Sequence, residues 1–534
     1  MLVGGNMGLL QKIKDGFARM KADTQIGKEY KDVFELSGIP PFRQFYQFAI
    51  YPAKWIYRGL YKPWHIVPAP SIAHKDGTRT LFRMHMAKAA CAEMAGLVWS
   101  EGADVTITQG EDDTLGRFVQ SVLDENNFST KMQEHIEQTA ALGGGALKEY
   151  VKVKKDENGN YIKGSERIVI DYCMADQFIP TSWDNAEVKE GVFISRIAKD
   201  GYYYTRLEWH RWNGDTYEIE NQLYRSSMKN GANENQDILG FYYPLNDIYP
   251  DIEPIVDIKG LKTSLFSYYR TPMANNVDDN SPLGLSMYGN AYDTLQALDI
   301  AYDSLVREIR LGKKRIIVPV TAVKSVVDEN GQMRRFFDEN DEAYEALNID
   351  DAEALKIQDN SLELRIKEHA ESINAHLSTL CLQMGFSSAT FSFDQQNGIK
   401  TATEVISENS KTYKTVKTFQ TQVTTAIKKL CENIIALGAL YDMEFDGKSI
   451  AALAANDYEI SVNMDDAVLE DSKSKLEKAV LLVTNGLLSK KTAMTDKKYG
   501  ICMTEDEAEM ELAEIAKESP VNAFAVDRFN NFGE

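Results

Sequence analysis

The chain has 534 residues, with 80 acidic against 59 basic side chains, a formal net charge of −21, and 43% hydrophobic and 10% aromatic residues. That length and apolar content suit an ordered protein of several domains, and the charge argues against a protein that coats nucleic acid nonspecifically, which needs a broadly basic surface, while leaving room for local basic sites. Five widely separated cysteines, Cys91, Cys173, Cys381, Cys431 and Cys502, with no C-x-x-C pair, argue against a disulfide scaffold or a cysteine zinc site and suit reduced thiols in a cytosolic protein.

The first residues, MLVGGNMGLLQKIKDGFARMK, have no basic region ahead of an apolar core and read as a short amphipathic helix, not a secretory signal. No stretch reaches the roughly 18 apolar residues that span a bilayer; NIIALGALY is too short, so a soluble protein is expected. Helical spacing over Thr78 to Trp99 predicts a helix, followed by a strand in GADVTITQG. The glycine run 143–145 lacks the G-x-x-x-x-G-K-[ST] spacing of a phosphate cradle, because Glu149 follows Lys148, and reads as a packed turn between helix and strand.

From Glu149 to Glu253 the pattern is that of hairpins, with turns at Asn158-Gly159, Asp200-Gly201 and Asn213-Gly214. A loop rich in Asn, Asp and Pro, TPMANNVDDNSPLG, precedes a helix predicted from Ser286 to Leu311. KKRIIVPVTAVKSVVDENGQMRRFF reads as strands about an Asn330-Gly331 turn, and LELRIKEHAESINAHLSTLCLQM as another helix.

The polar segment FDQQNGIKTATEVISE then runs into a very long helix, capped by Thr401 and Glu404 and predicted to reach Leu440. Val405, Val416, Phe419, Val423, Ile427, Leu430 and Ile434 share a sector of about 80°, and Lys400, Lys411, Lys414, Lys417, Lys428 and Lys429 spread over about 120° on the opposite side. No acidic residue falls between Asn409 and Cys431. Such a face can touch nucleic acid, pair with acidic residues of a neighbour, or lie solvated. Further on, a helix ends near Asn485-Gly486, Ser489 caps another, and Thr504 with Glu507 forms a second capping box.

Chemistry is sparse. The helical pair His369 and His376 has the wrong spacing for a shared metal and reads as solvated or interfacial, no G-x-S-x-G elbow occurs, and acidic runs such as DENDE read as solvated faces.

The order of elements, together with EPIVDIKG, QQNGIKTATEV, AACAEMAGLVWSEG and NGLLSKKTAMTDKKYGICMTEDEAEMELAEIAKE, resembles the portal proteins of tailed bacteriophages, in particular those of phages of Gram-positive hosts. The resemblance runs from residue 80 to 518. It implies an α+β portal-type subunit: a wing over 1–280, stem helices over 281–312 and 361–384, a clip over 313–360, a tunnel loop over 385–399, a long wing helix over 400–445, and a crown with C-terminal tail over 446–534. It further implies a homo-oligomeric ring, commonly dodecameric, at the unique capsid vertex of the virion, assembled in the host cytoplasm. Double-stranded DNA would pass through its channel in packaging and ejection.

The implied partners are the terminase large subunit, which is the packaging ATPase, the head-tail adaptor, and the major capsid and scaffolding proteins. No catalytic residue, cofactor, metal or membrane is implied. In the channel the resemblance points to Gln395, Gln396, Asn397, Gly398 and Lys400 of the tunnel loop, to Lys411, Lys414 and Lys417 as a basic channel or interface face, and to Lys313, Lys314 and Arg315 as a basic ring between stem and clip. Two rival readings stand beside it: a minor capsid or tail structural protein without a DNA-wide opening, and a hydrolase using paired carboxylates of the β-rich half.

Overall fold

Alternating polar and apolar residues build the largest sheet. The computed structural model describes residues 29–30, 33–37, 44–70, 75–100, 102–110, 112–154, 156, 161–162, 164–185, 187–228, 238–312, 316–317, 324–327, 333–336, 358–359, 363–388, 390–393, 402–464, 472–496, 499 and 503–518. The architecture is mixed helix and sheet, an α+β fold. The described residues fall into two units: one within Met1–Tyr57, Ala87–Gly289 and Lys400–Glu534, the other within Arg58–Met86 and Asn290–Ile399.

In the first unit the strands Phe178–Asp184, Glu187–Lys199, Tyr202–Asn213, Thr216–Ser227 and Gly240–Tyr243 lie side by side, all antiparallel, in a seven-stranded sheet completed by Glu29–Tyr30 and Ile255–Lys259. The turn predicted at Asp200-Gly201 forms as expected: both residues are left-handed, with φ of 51° and 79°, which matches the twist of the flanking strands. The turn predicted at Asn213-Gly214 sits one residue later. Asn213 pairs with Thr216, and Gly214 at φ 59° leads the loop, because glycine takes positive φ there without strain. Residues 157–160, the third predicted turn, lie outside the described residues.

A three-stranded sheet, Phe266–Arg270, Gly144–Lys152 and Arg167–Met174, is covered by the helices Phe128–Leu142 and Ala402–Leu440. Phe178, Phe193 and Phe266 join the two sheets in one aromatic core with Ala146, Cys173 and Val188, the Phe178 and Phe193 rings 4.7 Å apart. The long helix is one uninterrupted α-helix of 39 residues, about 58 Å in length. It lays Val416, Phe419, Val423, Ile427, Leu430 and Ile434 inward, all buried, and each such side chain is worth about 1.5–3 kcal/mol of transfer free energy. Packing of that stripe, not intrinsic propensity, holds so long a helix.

The second unit pairs the helices Tyr292–Leu311 and Ile366–Met384 through Leu295, Leu298 and Leu305 on one and Ile373, Leu377, Leu380 and Met384 on the other. A left-handed Gly385, φ 84°, ends the second helix and turns the buried Phe386 back, its N–H on the Cys381 carbonyl at 2.8 Å. Strand pairs Ile316–Ile317 with Gln358–Asp359 and Lys324–Val327 with Met333–Phe336 follow the predicted strand module.

The helix predicted over Thr78 to Trp99 is corrected: Thr78–Thr80 is a strand paired with Ile66–Pro68, and helix begins at Met86. The reason lies on the first helix of the pair. Asp299 and Asp303, one turn apart, accept the backbone N–H of Met84 at 2.9 Å and of Phe82 at 3.1 Å, and Asp303 takes the Arg79 guanidinium in two bonds of 2.7 Å. Amides committed to those carboxylates are not available to a helix. His65 joins the clasp, its Nε2 3.1 Å from Asp299.

At the C-terminal side, Ser489 accepts the Thr492 N–H, and Thr504 and Glu507 exchange side chain to backbone bonds of 2.9 and 3.3 Å, both caps as predicted. The helix predicted over the first residues lies outside the described residues.

The glycine run is a packed turn, and its chemistry is steric. Gly143 has φ 92°, and a Cβ there would stand 2.4 Å from the Gly284 carbonyl oxygen, while a Cβ on Gly145 would meet the side chains of Thr139 and His135. Gly143→Ala is therefore expected to lower stability by more than about 2 kcal/mol, read as a shift of the urea midpoint at unchanged slope. A wild-type midpoint would show that the backbones separate freely.

Candidate functional site

The long helix presents two different surfaces, and one amide fixes which side is which. Asn433, fully buried, donates from Nδ2 to Glu149 Oε2 at 2.9 Å and to the Ser264 carbonyl at 3.0 Å, and its Oδ1 accepts the Thr263 hydroxyl at 2.8 Å. Gln420, three to four turns earlier, reaches the Val98 carbonyl at 3.4 Å. The helix cannot rotate about its axis without breaking these bonds.

With that orientation Lys411, Lys414, Lys417 and Lys428 are exposed. Lys429 is not part of the open face: it lies over the Phe266 ring and pairs with Glu187 at 3.7 Å, with only 18% of its side chain accessible. For this lysine the pairing alternative is the one realised. Between the exposed lysines, Thr415, Thr418, Thr421 and Thr425 each donate their hydroxyl to the carbonyl four residues earlier, at 2.8 to 3.2 Å. The side chain of Val405, and Thr401 and the tunnel-loop candidates Gln395, Gln396, Asn397, Gly398 and Lys400, with Lys313, Lys314 and Arg315, lie outside what the structure describes.

Beneath the helix, strand Gly144–Lys152 carries two ionisable groups that sequence reasoning did not single out. Glu149 is buried, and burial raises its carboxyl to about 8, only partly opposed by the Asn433 amide and Lys429. On its neighbour, Lys148 Nζ binds Glu208 at 2.9 Å and Asp171 at 3.4 Å and faces the Phe193 ring. Burial opposes its charge, yet Glu208 and Asp171 hold it above the usual lysine range.

A line of hydrogen bonds continues from there. The Leu265 N–H donates to the Tyr217 hydroxyl, which donates to His210 Nδ1 at 2.8 Å, and His210 Nε2 donates to Glu208 at 3.1 Å. Burial lowers His210, so it stands neutral in this tautomer. Burial alone would raise Glu208; Lys148, His210 and Arg206 more than offset it and hold it well below the ordinary range. Every member is engaged inside the core, an arrangement that fixes the register of the strands. The i, i+2 spacing of Glu208 and His210 on one strand face was the available signal; the partner Lys148, distant in sequence, was not.

The histidine pair does not converge on a metal. His369 lies 4.0 Å from Glu308, and among the described residues no group of three His, Cys, Asp or Glu side chains could hold an ion. Cys91, Cys173, Cys381 and Cys431 are buried, and none of the four is in a disulfide. Among the described residues no helix is long and apolar enough to cross a membrane.

The sequence matches the family described as "Phage portal protein, SPP1 Gp6-like" over residues 73–520. No curated protein matches the chain. Among solved structures, a chain from the neck of an empty GTA particle is similar at 13% identity and TM-score 0.37, over 76% of this chain and 88% of the other. A chain of the virion of a native gene transfer agent particle is similar at 12% identity and TM-score 0.33, over 89% and 97%.

Because Glu149 carries a raised carboxyl, folding favours its protonated form. Its contribution is complete below about 4.5, its unfolded value, and is lost as pH climbs through about 8. Glu149→Gln keeps an acceptor for Asn433 without a charge to bury. The variant should remove a loss on the order of 4 kcal/mol between those pH values, seen in urea unfolding of both proteins across the range. Parallel stability curves would sink this assignment.

Proposed function

The chain belongs to the SPP1 Gp6-like family of phage portal proteins, and from that premise we propose that its copies close into a ring, commonly dodecameric in the resemblance, at one capsid vertex of the virion. The family is a structural one. Its match over residues 73–520 is the observation that carries the reading. DNA then enters through the channel in packaging and leaves through it in ejection. ATP hydrolysis belongs to the terminase large subunit, and the head-tail adaptor and the major capsid and scaffolding proteins complete the contacts. Assembly takes place in the host cytoplasm, and the protein itself uses no cofactor.

In this reading the helices Tyr292–Leu311 and Ile366–Met384 are the stem, 313–360 is the clip, 385–399 is the tunnel loop, and the helix Ala402–Leu440 belongs to the wing with the sheets of 1–280; 446–534 forms crown and tail. Lys400 of the loop and Lys313, Lys314 and Arg315 near the clip become circles of positive charge once repeated around the ring. Lys411, Lys414 and Lys417 are exposed on a stretch of helix, 409–431, whose own sequence has no acidic residue, which supports a contact with phosphate or with an acidic neighbour.

The hydrolase reading has less to support it. Glu149, Glu208 and Glu220, buried carboxylates of the β-rich half, are engaged with Asn433, with Lys148, Arg206 and His210, and with Arg211 respectively.

Native mass spectrometry with negative-stain microscopy tests the reading: closed rings with an opening wider than a duplex are expected, and a monomer under conditions that preserve assemblies overturns it. On isolated rings, the K411Q/K414Q/K417Q variant should flatten the salt dependence of duplex binding, by about 0.9 in the log–log slope for each lysine that contacts phosphate. An unchanged slope assigns those three lysines elsewhere.

A further inference from the structure

The paired helices of the second unit each have an outer face that their own partner helix leaves uncovered. On the helix Tyr292–Leu311, the residues Gln296, Ile300, Ser304, Arg307 and Leu311 share about 80° of arc, opposite the buried Leu295, Leu298 and Leu305. Arg307 is exposed, and so are Ile300 at 48% and Leu311 at 55%. A groove of about 780 Å³ runs along this stripe, bounded on one side by Trp64, Ile66 and Arg79 and on the other by Arg365 and His369 at the start of the second helix.

On the helix Ile366–Met384, the residues Glu368, Glu371, Ser372, Ala375, Thr379 and Leu382 share about 100°, opposite the buried Ile373, Leu377, Leu380 and Met384, and all six are exposed. Since the helices meet through their buried sides, the two stripes point away from each other.

Their heights correspond. Glu308 binds Arg365 at 3.2 Å, and a Cβ on Gly312 would touch Leu364, so the end of the first helix lies beside the start of the second and the two run antiparallel. Counting back from that contact, Arg307 stands level with Glu368, Ser304 with Ser372, and Ile300 with Ala375, while Glu371 and Thr379 lie about one turn further along, within reach of Arg307 and Ile300. A rotation about an axis parallel to the helices, with no rise, therefore sets a guanidinium beside two carboxylates and large apolar side chains against small ones.

We infer that these two stripes are the two halves of a head-to-tail interface, the stripe of Arg307 on one copy receiving the stripe of Glu368 and Glu371 on the next copy of this chain. The inference rests on the ring reading and names the surface that closes the ring. A heterologous contact between opposite faces generates a closed ring only when it adds no translation, and the matched heights meet that condition. Charge complementarity sets the partner and its register, and the insertion of Ile300 over Ala375 supplies apolar contact.

The test is native mass spectrometry of the full chain at one fixed concentration. The wild type should form rings, and R307E and the double variant E368R/E371R should each lose about tenfold or more of the assembled fraction, because the same contact recurs at every interface. Combining them, R307E with E368R/E371R, should restore assembly. Rings from R307E at the wild-type level overturn the inference, as does failure of the combination to recover while its circular dichroism stays that of the wild type.

The S304C/S372C variant gives a readout independent of affinity. Oxidised rings should run on denaturing gels as a ladder of chain multiples, seen with neither single variant, since the two positions lie on opposite sides of their own helix pair and cannot bridge within one chain. Intact rings without a ladder overturn the interface but leave the ring reading standing. A wild type that never assembles defeats the ring reading, and the interface with it.

Discussion

The packing of one helix side against a sheet fixes most of the first unit, and Asn433 is where that packing becomes directional. An apolar stripe tolerates sliding and rotation by a few tens of degrees. A buried amide does not, because both its donor and its acceptor must be met. With Glu149, Ser264 and Thr263 all committed to it, the long helix has one azimuth and one height, and the face that carries Lys411, Lys414 and Lys417 is set by default. The protonated carboxyl of Glu149 is a neutral partner, which spares the core a charge but leaves the joint sensitive to alkali.

The second unit uses the same device with ionised groups. Asp299 and Asp303 turn one side of a helix into a receptor for the backbone of an incoming segment, taking two amides, a guanidinium and an imidazole. In both units polar groups decide the geometry and apolar area supplies the adhesion. The outer sides of the paired helices are exposed, and the proposed ring would draw on those sides as much as on the core.

The elements legible in the sequence were those with local causes. The 39-residue helix, the Ser489 cap, the Thr504 and Glu507 box and the Asp200-Gly201 turn each follow from residues within a few positions of one another. The strand Thr78–Thr80 was misread because what prevents helix there is Asp303, more than 200 positions away. Lys429 shows the same limit. Its place on the wheel was right, but Glu187 and Phe266 were needed to know that it folds inward. The network from Lys148 through Glu208 and His210 to Tyr217 was invisible for the same reason, and family resemblance, which reads the order of elements, could not supply it.

The threonines of the long helix have a consequence of their own. Thr418, Thr421 and Thr425, all exposed, turn their hydroxyl protons back onto the helix backbone. On that face the lysine ammonium groups stand among hydroxyls whose protons are already spent. A duplex held there, as the proposed channel contact requires, would meet a surface blind to base sequence, with no preferred stopping place along it.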